Sequence, residues 1–514
     1  MLFADLATTS SALATTRSRL AKRALLVDLL RRTPAQDVGI VSRYLGGQLR
    51  QRRTGLGWRS LASLPDPADA PSLTVAQVDA AFESMSLLVG PGSGTARSAQ
   101  AAALFGAATA DEQRLLRGLV TGELRQGSLD ALLLDAVAEA ASVPPDVVRR
   151  AAMMAGDTEP VAVAALTSPD PAVALAAFTL VVGRPVRPML AQSAPDVDGA
   201  WASLGPGPVV VDSKLDGIRI QVHRRGSEVR VFTRSLDEIT DRVPEIVAVV
   251  LAMPASELVL DGEALAVGPD GRPRPFQETS ARSATKDAEV AAAVTLTPFF
   301  FDCLHVDGVD LLDAPLLRRL DALDAVAGSS VVERLVTGDV DAARAYFTDT
   351  VRAGQEGVVI KAADAPYEAG RRGAAWIKVK PRNTLDLVVL AVEWGSGRRQ
   401  GLLSNIHLGA RDGDGFVMLG KTFKGMTDEM LRWQTERFTE LATSPLDDWV
   451  VHLRPEQVVE IAFDGLQRSS RYAGGLALRF ARVVRYRDDK SATEADTIET
   501  VRALVGRAGN ASDG

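Results

Sequence analysis

Cysteine occurs once in these 514 residues, as Cys303, and histidine four times. A single thiol forms no intramolecular disulfide and no four-cysteine zinc site, and it suits a reducing cytoplasm. The histidines, at 223, 305, 407 and 452, are scattered without ligand spacing. Aromatic residues make up only 5%. No uninterrupted apolar run approaches the ~20 residues of a membrane helix, so no membrane partner is expected. Asp5 precedes the first basic residue, Arg17, which is the wrong order for a secretory signal. Two Gly-rich stretches, GPGSG at 90–94 and GSGRRQG at 395–401, lack the Gly-Lys-Ser/Thr ending of a P-loop and read as turns.

Positive charge is also short overall. The net charge of −7 argues against a nucleic-acid partner. Its distribution argues the other way. Residues 1–60 hold eleven basic side chains against only Asp5, Asp28 and Asp37. Residues 468–487 hold Arg468, Arg471, Arg479, Arg482, Arg485 and Arg487 and no acid. Phosphate binding depends on such local clusters more than on the total, although an Arg-rich solvated face has the same composition.

What is present is a soluble-type composition, 46% apolar and 24% charged, in a chain long enough for two to four domains. Residues 1–185 are helical in pattern. LLRGLVTGELRQGSLDALLLDAVAEAA (115–141) and DPAVALAAFTLVV repeat apolar residues at helical spacing, and VGPGSGTARS (89–98) marks a loop. Residues 186–385 turn to short β-branched runs such as VVVDSK, IRIQVHR, VRVFTR, ELVLDGEALAV and GVVIKAA, with two amphipathic helices between them. That pattern predicts an α+β core. Residues 386–514 hold a further set of short strands around one helix, DEMLRWQTERFTEL, which suits a small OB-type β-barrel.

Chemistry concentrates in the second region. Lys214-Leu215-Asp216-Gly217 lies between two apolar strands. A lysine attacks phosphorus only as the neutral amine, which neighbouring cations and partial burial favour. The tetrapeptide alone is a weak signal. An ordered series follows it: Arg219, Arg234 ending VRVFTR, Glu263 in LVLDGEALA, Phe301 in FFFDCL, and Glu356 and Lys361 bracketing EGVVIK. Lys378 and Lys380 then alternate in WIKVK, and RYRDDK closes the series with Arg487, Asp489 and Lys490. Phosphoryl transfer uses these components: cations for the transferring phosphate, carboxylates for a metal, an aromatic to stack a base. Each has a bland alternative in turn, core or half-exposed strand; the order of the whole series is what makes them improbable together.

This series resembles the nucleotidyltransferase motifs of ATP-dependent DNA ligases, in particular the bacterial B-type of actinobacteria. RPVRPMLAQ (184–192) resembles the start of that family's adenylation domain, 115–141 its N-terminal DNA-binding domain, and FDGLQRSSRYAGGLALRFARVVRYRDDK its C-terminal OB domain. The resemblance implies a multidomain protein: an all-α DNA-binding domain (1–185), an α+β adenylation domain (186–385) and an OB-fold domain with a short tail (386–514). It implies ATP and Mg²⁺, or Mn²⁺ in its place, as cofactors, nicked duplex DNA as partner, and a monomer.

The resemblance also implies roles. Lys214 takes AMP as the catalytic nucleophile. Asp212 contacts the adenine, where the family commonly has glutamate. Arg219 and Arg234 hold ribose and flanking phosphates, Phe301 stacks on adenine, and Glu263 touches ribose or metal. Glu356 binds metal, while Arg372, Lys378 and Lys380 serve the α-phosphate region. Arg487 and Lys490 orient the leaving pyrophosphate, and a hinge lies near Lys380–Asp386. Three other readings share parts of this pattern. An RNA ligase or capping enzyme does not explain the N-terminal region, and an NAD⁺-dependent ligase needs zinc cysteines. A catalytically silent nick-binding protein has no need of the intact lysines and carboxylates.

Overall fold

The computed structural model describes the chain except residues 52, 53, 125, 127, 128, 269–272, 275, 286–293, 369–374, 382 and 510–514. From Phe3–Thr15 to Pro171–Ala176 the regular elements are helices. Local chemistry places several of their starts. Thr74 and Gln77 exchange side-chain and backbone hydrogen bonds in a capping box, and Pro145 and Pro171 occupy first turns, where a missing N–H costs nothing.

The periodic segment 115–141 is not one helix. Ala110–Thr121 ends at Gly122, whose φ of 69° is left-handed, and a second helix runs Asp130–Ala140. The expected loop at 89–98 is shorter than its composition implies, because the helix Ser93–Gly106 begins inside it, after Gly92. Helix Pro171–Ala176 is also brief, so FTLVV lies outside it.

The middle region builds two five-stranded sheets. One orders its strands Gln192–Ser193, Trp376–Val379, Gly357–Ala362, Val209–Lys214 and Arg334–Thr337. The other orders Glu228–Thr233, Ile218–Arg225, Glu257–Ala266, Leu296–Val306 and Val309–Asp310. Helix Leu316–Ala327 packs on the second sheet and Val340–Arg352 on the first. In the C-terminal region an antiparallel sheet runs Gly415–Thr422, Leu403–Asp412, Asn383–Trp394, Val458–Phe463 and Arg482–Tyr486, with helix Asp428–Leu441 against it. The 385/386 division expected from sequence falls inside the strand Asn383–Trp394. No helix among the described residues is long and apolar enough to cross a membrane.

The three regions join in two different ways. Met153 and Met154 of the helical region share one buried cluster with Val186, Met189, Val259 and Leu304 of the middle region. The Arg187 N–H donates to the Met153 carbonyl at 3.0 Å across that seam. Among the described residues no buried apolar cluster includes side chains from both the middle and C-terminal regions. Ion pairs join those two instead: Arg479 with Asp216 at 3.0 Å and Lys380 with Asp464 at 3.3 Å.

Buried and exposed ion pairs here carry opposite expectations. Arg319 and Asp302 are both fully buried, at 2.7 Å, with Arg319 also donating to the Ala314 and Ala365 carbonyls. Arg150 and Asp313, 50% and 71% exposed, meet at 2.6 Å between the helical and middle regions. Arg319→Met leaves Asp302 buried without its partner and is expected to cost about 3–5 kcal/mol. Arg150→Ala should change stability by less than about 1 kcal/mol. Urea unfolding of both variants measures the contrast.

Candidate active site

Strand parity gathers the residues. Asp212 and Lys214 are two apart on Val209–Lys214 and share a face. In register with this face, Asp212 lies opposite Val359 and Val210 opposite Lys361, and Val359 and Lys361 pair onward with Lys378 and Trp376. Asp212, Lys214, Lys361, Trp376 and Lys378 therefore line one side of a single sheet. Lys214-Leu215-Asp216-Gly217 is not a hairpin: it carries the chain from this sheet to the second, where Arg219 lies opposite Glu263. Gly217 makes the crossing feasible, since a Cβ there would stand 2.5 Å from the Ala264 carbonyl oxygen. A cavity of about 420 Å³ occupies the seam, lined by these residues together with Arg234, Phe301 and Phe276.

At one end of the cavity the aromatic rings of Phe301 and Trp376 meet edge to face, 5.9 Å between centroids. The Lys361 ammonium stands 4.2 Å from the Trp376 ring and 4.8 Å from Phe301, and pairs with Asp212 at 2.5 Å. Both charged groups are buried, and burial pushes Asp212 above the ordinary carboxylate range against the pull of Lys361. Arg219 is largely committed to the fold. Its fork donates to Asp261 at 3.0 and 2.6 Å and to the Met189 carbonyl at 2.6 Å. What it offers the cavity is the guanidinium flank, 5.5 Å from the Phe301 ring centre.

At the other end Lys214 Nζ contacts the Glu356 carboxylate, whose second oxygen holds Lys380. The Glu356 N–H donates to the Lys214 carbonyl at 3.0 Å, so backbone and side chain both fix the pair. Gly357 completes this corner, with φ at 140° and the Val379 carbonyl where a Cβ would go. Burial pushes Glu356 up, but Lys214 and Lys380 more than offset it and hold it below the usual range.

Glu263 is different. Burial drives its carboxyl up to about 7 in spite of Lys214 and Arg219, and no hydrogen bond or ion pair among the described residues satisfies it. Lys378 is depressed by burial and then by Lys380 and Lys214, and no carboxylate stands at ion-pair distance among the described residues. Arg234, just past its strand, lines the cavity and is likewise unpaired among the described residues. Cations without counter-charge among the described residues, beside an unsatisfied carboxylate, could hold an anion, and Glu263 and Glu356 are the carboxylates that could hold a divalent cation.

The structure does not bring every sequence candidate to Lys214. Arg487 donates to Asp386 at 2.9 Å and to Asp489 at 2.7 Å, and Lys490 pairs with Asp386 at 2.6 Å. That motif therefore sits against the first strand of the C-terminal sheet. Arg372 lies outside the described residues. Conversely, sequence reasoning assigned no role to Trp376, Asp261 or Asp464, and it saw in Arg479 only a member of the basic cluster and in Asp216 only a turn residue. The alternation that singled out Lys378 and Lys380 also put Trp376 on their face. Asp464 and Arg479 carried no such signal, because their partners lie in the middle region.

Comparison with known proteins bears on the same span. Residues 188–380 match the family model "ATP dependent DNA ligase domain", and residues 399–490 match "ATP dependent DNA ligase C terminal region". A "Probable DNA ligase" of Beutenbergia cavernae is 73% identical over 512 residues, covering 98% of this chain and 100% of the relative. Another from a Nocardioides species is 59% identical over 514 residues, covering 98% and 99%. The solved structure "Pmar-Lig_PreS3" shares the fold, with a TM-score of 0.61 at 18% identity over 94% of this chain and 99% of its own. Matches to both family models, and identity this high along the whole length of relatives called DNA ligases, lead to one family: the protein belongs to the ATP-dependent DNA ligases.

Proposed function

We propose that Lys214 is the residue adenylylated during nick sealing. The observation that carries this is its position. Nζ lies at the seam of two sheets, with the aromatic and Asp212–Lys361 end of one cavity on one side and unpaired Lys378 and Arg234 on the other. An adenosine fits the first end, with Phe301 as stacking platform, and its phosphates fit the second.

Three steps follow. Lys214 releases its ammonium proton to solvent, and the neutral Nζ attacks the α-phosphorus of ATP, forming a P–N bond as the P–O bond to pyrophosphate breaks. The AMP then passes to the 5′-phosphate of a nick, regenerating the free amine. Finally the 3′-hydroxyl attacks that phosphate and AMP leaves. Glu356 holds Nζ in place and Lys378 offers charge to the phosphate being transferred. Glu263 and Glu356 are the carboxylates that suit Mg²⁺, which is ordinarily held by one or two carboxylates plus substrate phosphates. When bound, the ion supplies charge neutralisation at the phosphates.

Lys214→Ala is expected to abolish alkali-stable, acid-labile AMP labelling of the protein while retaining some sealing of a pre-adenylylated nick, which needs no new lysyl-AMP. Labelling that survives in the variant overturns the assignment.

The C-terminal region serves, in this reading, in two orientations. Arg487 and Lys490 belong over the departing pyrophosphate during the first step, whereas the observed orientation holds them on Asp386 and presents Arg479 and Asp464 to the adenylation site. That orientation suits the steps on DNA. Converting Arg487 and Lys490 together to alanine should slow lysyl-AMP formation far more than sealing of a pre-adenylylated nick. Equal single-turnover losses in both steps would rule out a step-specific role.

The helical region is the proposed duplex-gripping part. Its basic excess supports this, although Arg43 is engaged by Asp157 and Glu159 and Arg50 by Asp79. Removing residues 1–185 should leave lysyl-AMP formation in place. It should also flatten the salt dependence of nick binding, by about one log–log unit for every phosphate that the region neutralises. An unchanged slope refutes the division of labour.

A further inference from the structure

A second cavity lies on the other side of Lys378, between the middle and C-terminal regions. Its volume is about 420 Å³, and Lys378, Lys380, Arg482, Asp464 and Ser193 line it. Lys378 is thus a wall shared with the nucleotide cavity. Three cations from two regions face this space against one acid, Asp464. The acid is divided between two of them: one oxygen accepts from Arg482 Nη1 at 2.9 Å, the other from Lys380 Nζ at 3.3 Å. Two oxygens of a phosphate would bridge the same two donors, with charge-assisted bonds of the same kind and more negative charge to offer.

Lys378, the third cation, has no carboxylate partner among the described residues, so the cavity keeps an uncompensated positive charge even with Asp464 in it. Burial pushes Asp464 up, yet Arg482 and Lys380 hold it below the usual carboxylate range, so it stays an anion.

We infer that this inter-region cavity is a phosphate subsite, in which Arg482, Lys380 and Lys378 grip a phosphodiester of the nicked strand in place of Asp464. The inference rests on the reading of Lys214 as the adenylylated lysine, because that places the reacting 5′-phosphate beside Lys378. Two sources offer this chemistry, the DNA backbone and pyrophosphate. The observed orientation favours DNA. Arg487 and Lys490 are engaged by Asp386, and the C-terminal region presents Arg482 to the active-site lysines instead. Asp464 then acts as an internal anion that keeps the two regions together and that an incoming phosphate displaces.

This assignment gives the two C-terminal partners opposite signs. With the full-length chain and a pre-adenylylated nick, Arg482→Ala should raise the nick concentration for half-maximal single-turnover sealing about tenfold, the worth of one charged hydrogen bond. The same change should reduce the log–log salt slope of nick affinity by about one. Arg482→Lys should restore that slope, and a normal thermal unfolding curve for it guards against misfolding. Asp464→Asn removes the competing anion and should lower the required nick concentration several-fold. If both Arg482→Ala and Asp464→Asn weaken the nick alike, the pair is merely a structural latch and the inference fails. If the loss falls on lysyl-AMP formation or on its reversal by added pyrophosphate, and not on sealing, the ligand is pyrophosphate and the DNA assignment is overturned. Wild-type protein that forms no lysyl-AMP would strike the underlying reading instead, and the pre-adenylylated nick reports on the subsite independently of that.

Discussion

Two ammonium groups meet on one carboxylate at the centre of this protein, and the rest of the molecule is arranged around that contact. Glu356 holds Lys214 with one oxygen and Lys380 with the other, and its backbone N–H fastens it to the Lys214 carbonyl. Lys214 ends a strand of one sheet and the next residues enter the other, so the contact lies where the two sheets diverge. Lys380 stands at the end of the middle region, just before the C-terminal sheet begins at Asn383. A single acid therefore ties together the proposed nucleophile, which lines the cavity at the seam, and the root of the C-terminal region. Like charges brought this close are tolerable because the carboxylate between them is desolvated, which strengthens its hold on both.

The same economy of charge explains how the regions are joined. Methionines and valines weld the helical region to the middle one, an arrangement suited to parts that stay together. The C-terminal region is fastened by Arg479–Asp216 and Lys380–Asp464, pairs of partly exposed groups that contribute little net stability. An apolar seam would resist the proposed reorientation, whereas ionic contacts of this kind would let it occur. Within the C-terminal region, Asp386 neutralises Arg487 and Lys490, so the motif that is drawn to pyrophosphate in the proposed first step stays charge-compensated while the other face is docked.

Sequence reasoning reached the site through strand parity and motif order. Period-two alternation put Lys378 and Lys380 on one face of their strand; only the register between neighbouring strands sets that face beside Lys214 and Asp212. It was incomplete where local composition competes with tertiary context. The loop read at 89–98 is shorter in the structure, ending at Gly92, where helix Ser93–Gly106 begins. The basic N-terminal segment read as a free cationic face, whereas Arg43 and Arg50 find their acids at Asp157, Glu159 and Asp79, far along the chain. Arg219 read as a substrate contact, and the structure commits most of its donors to Asp261 and Met189.

The sequence by itself determined which chemistry this chain carries and which strands bear it, because side-chain type and alternation are local properties. It also determined the family, through the order of motifs that no single one of them would establish. Tertiary structure alone decided that Lys214-Leu215-Asp216-Gly217 crosses between sheets, that Trp376 and Lys361 complete the aromatic end of the cavity, and that Asp464 and Arg482 reach the lysines of another region. Those facts depend on pairings between residues tens to hundreds of positions apart. Coulomb attraction and burial act on distance in space, and no pattern along the chain encodes which distant acid will satisfy which cation.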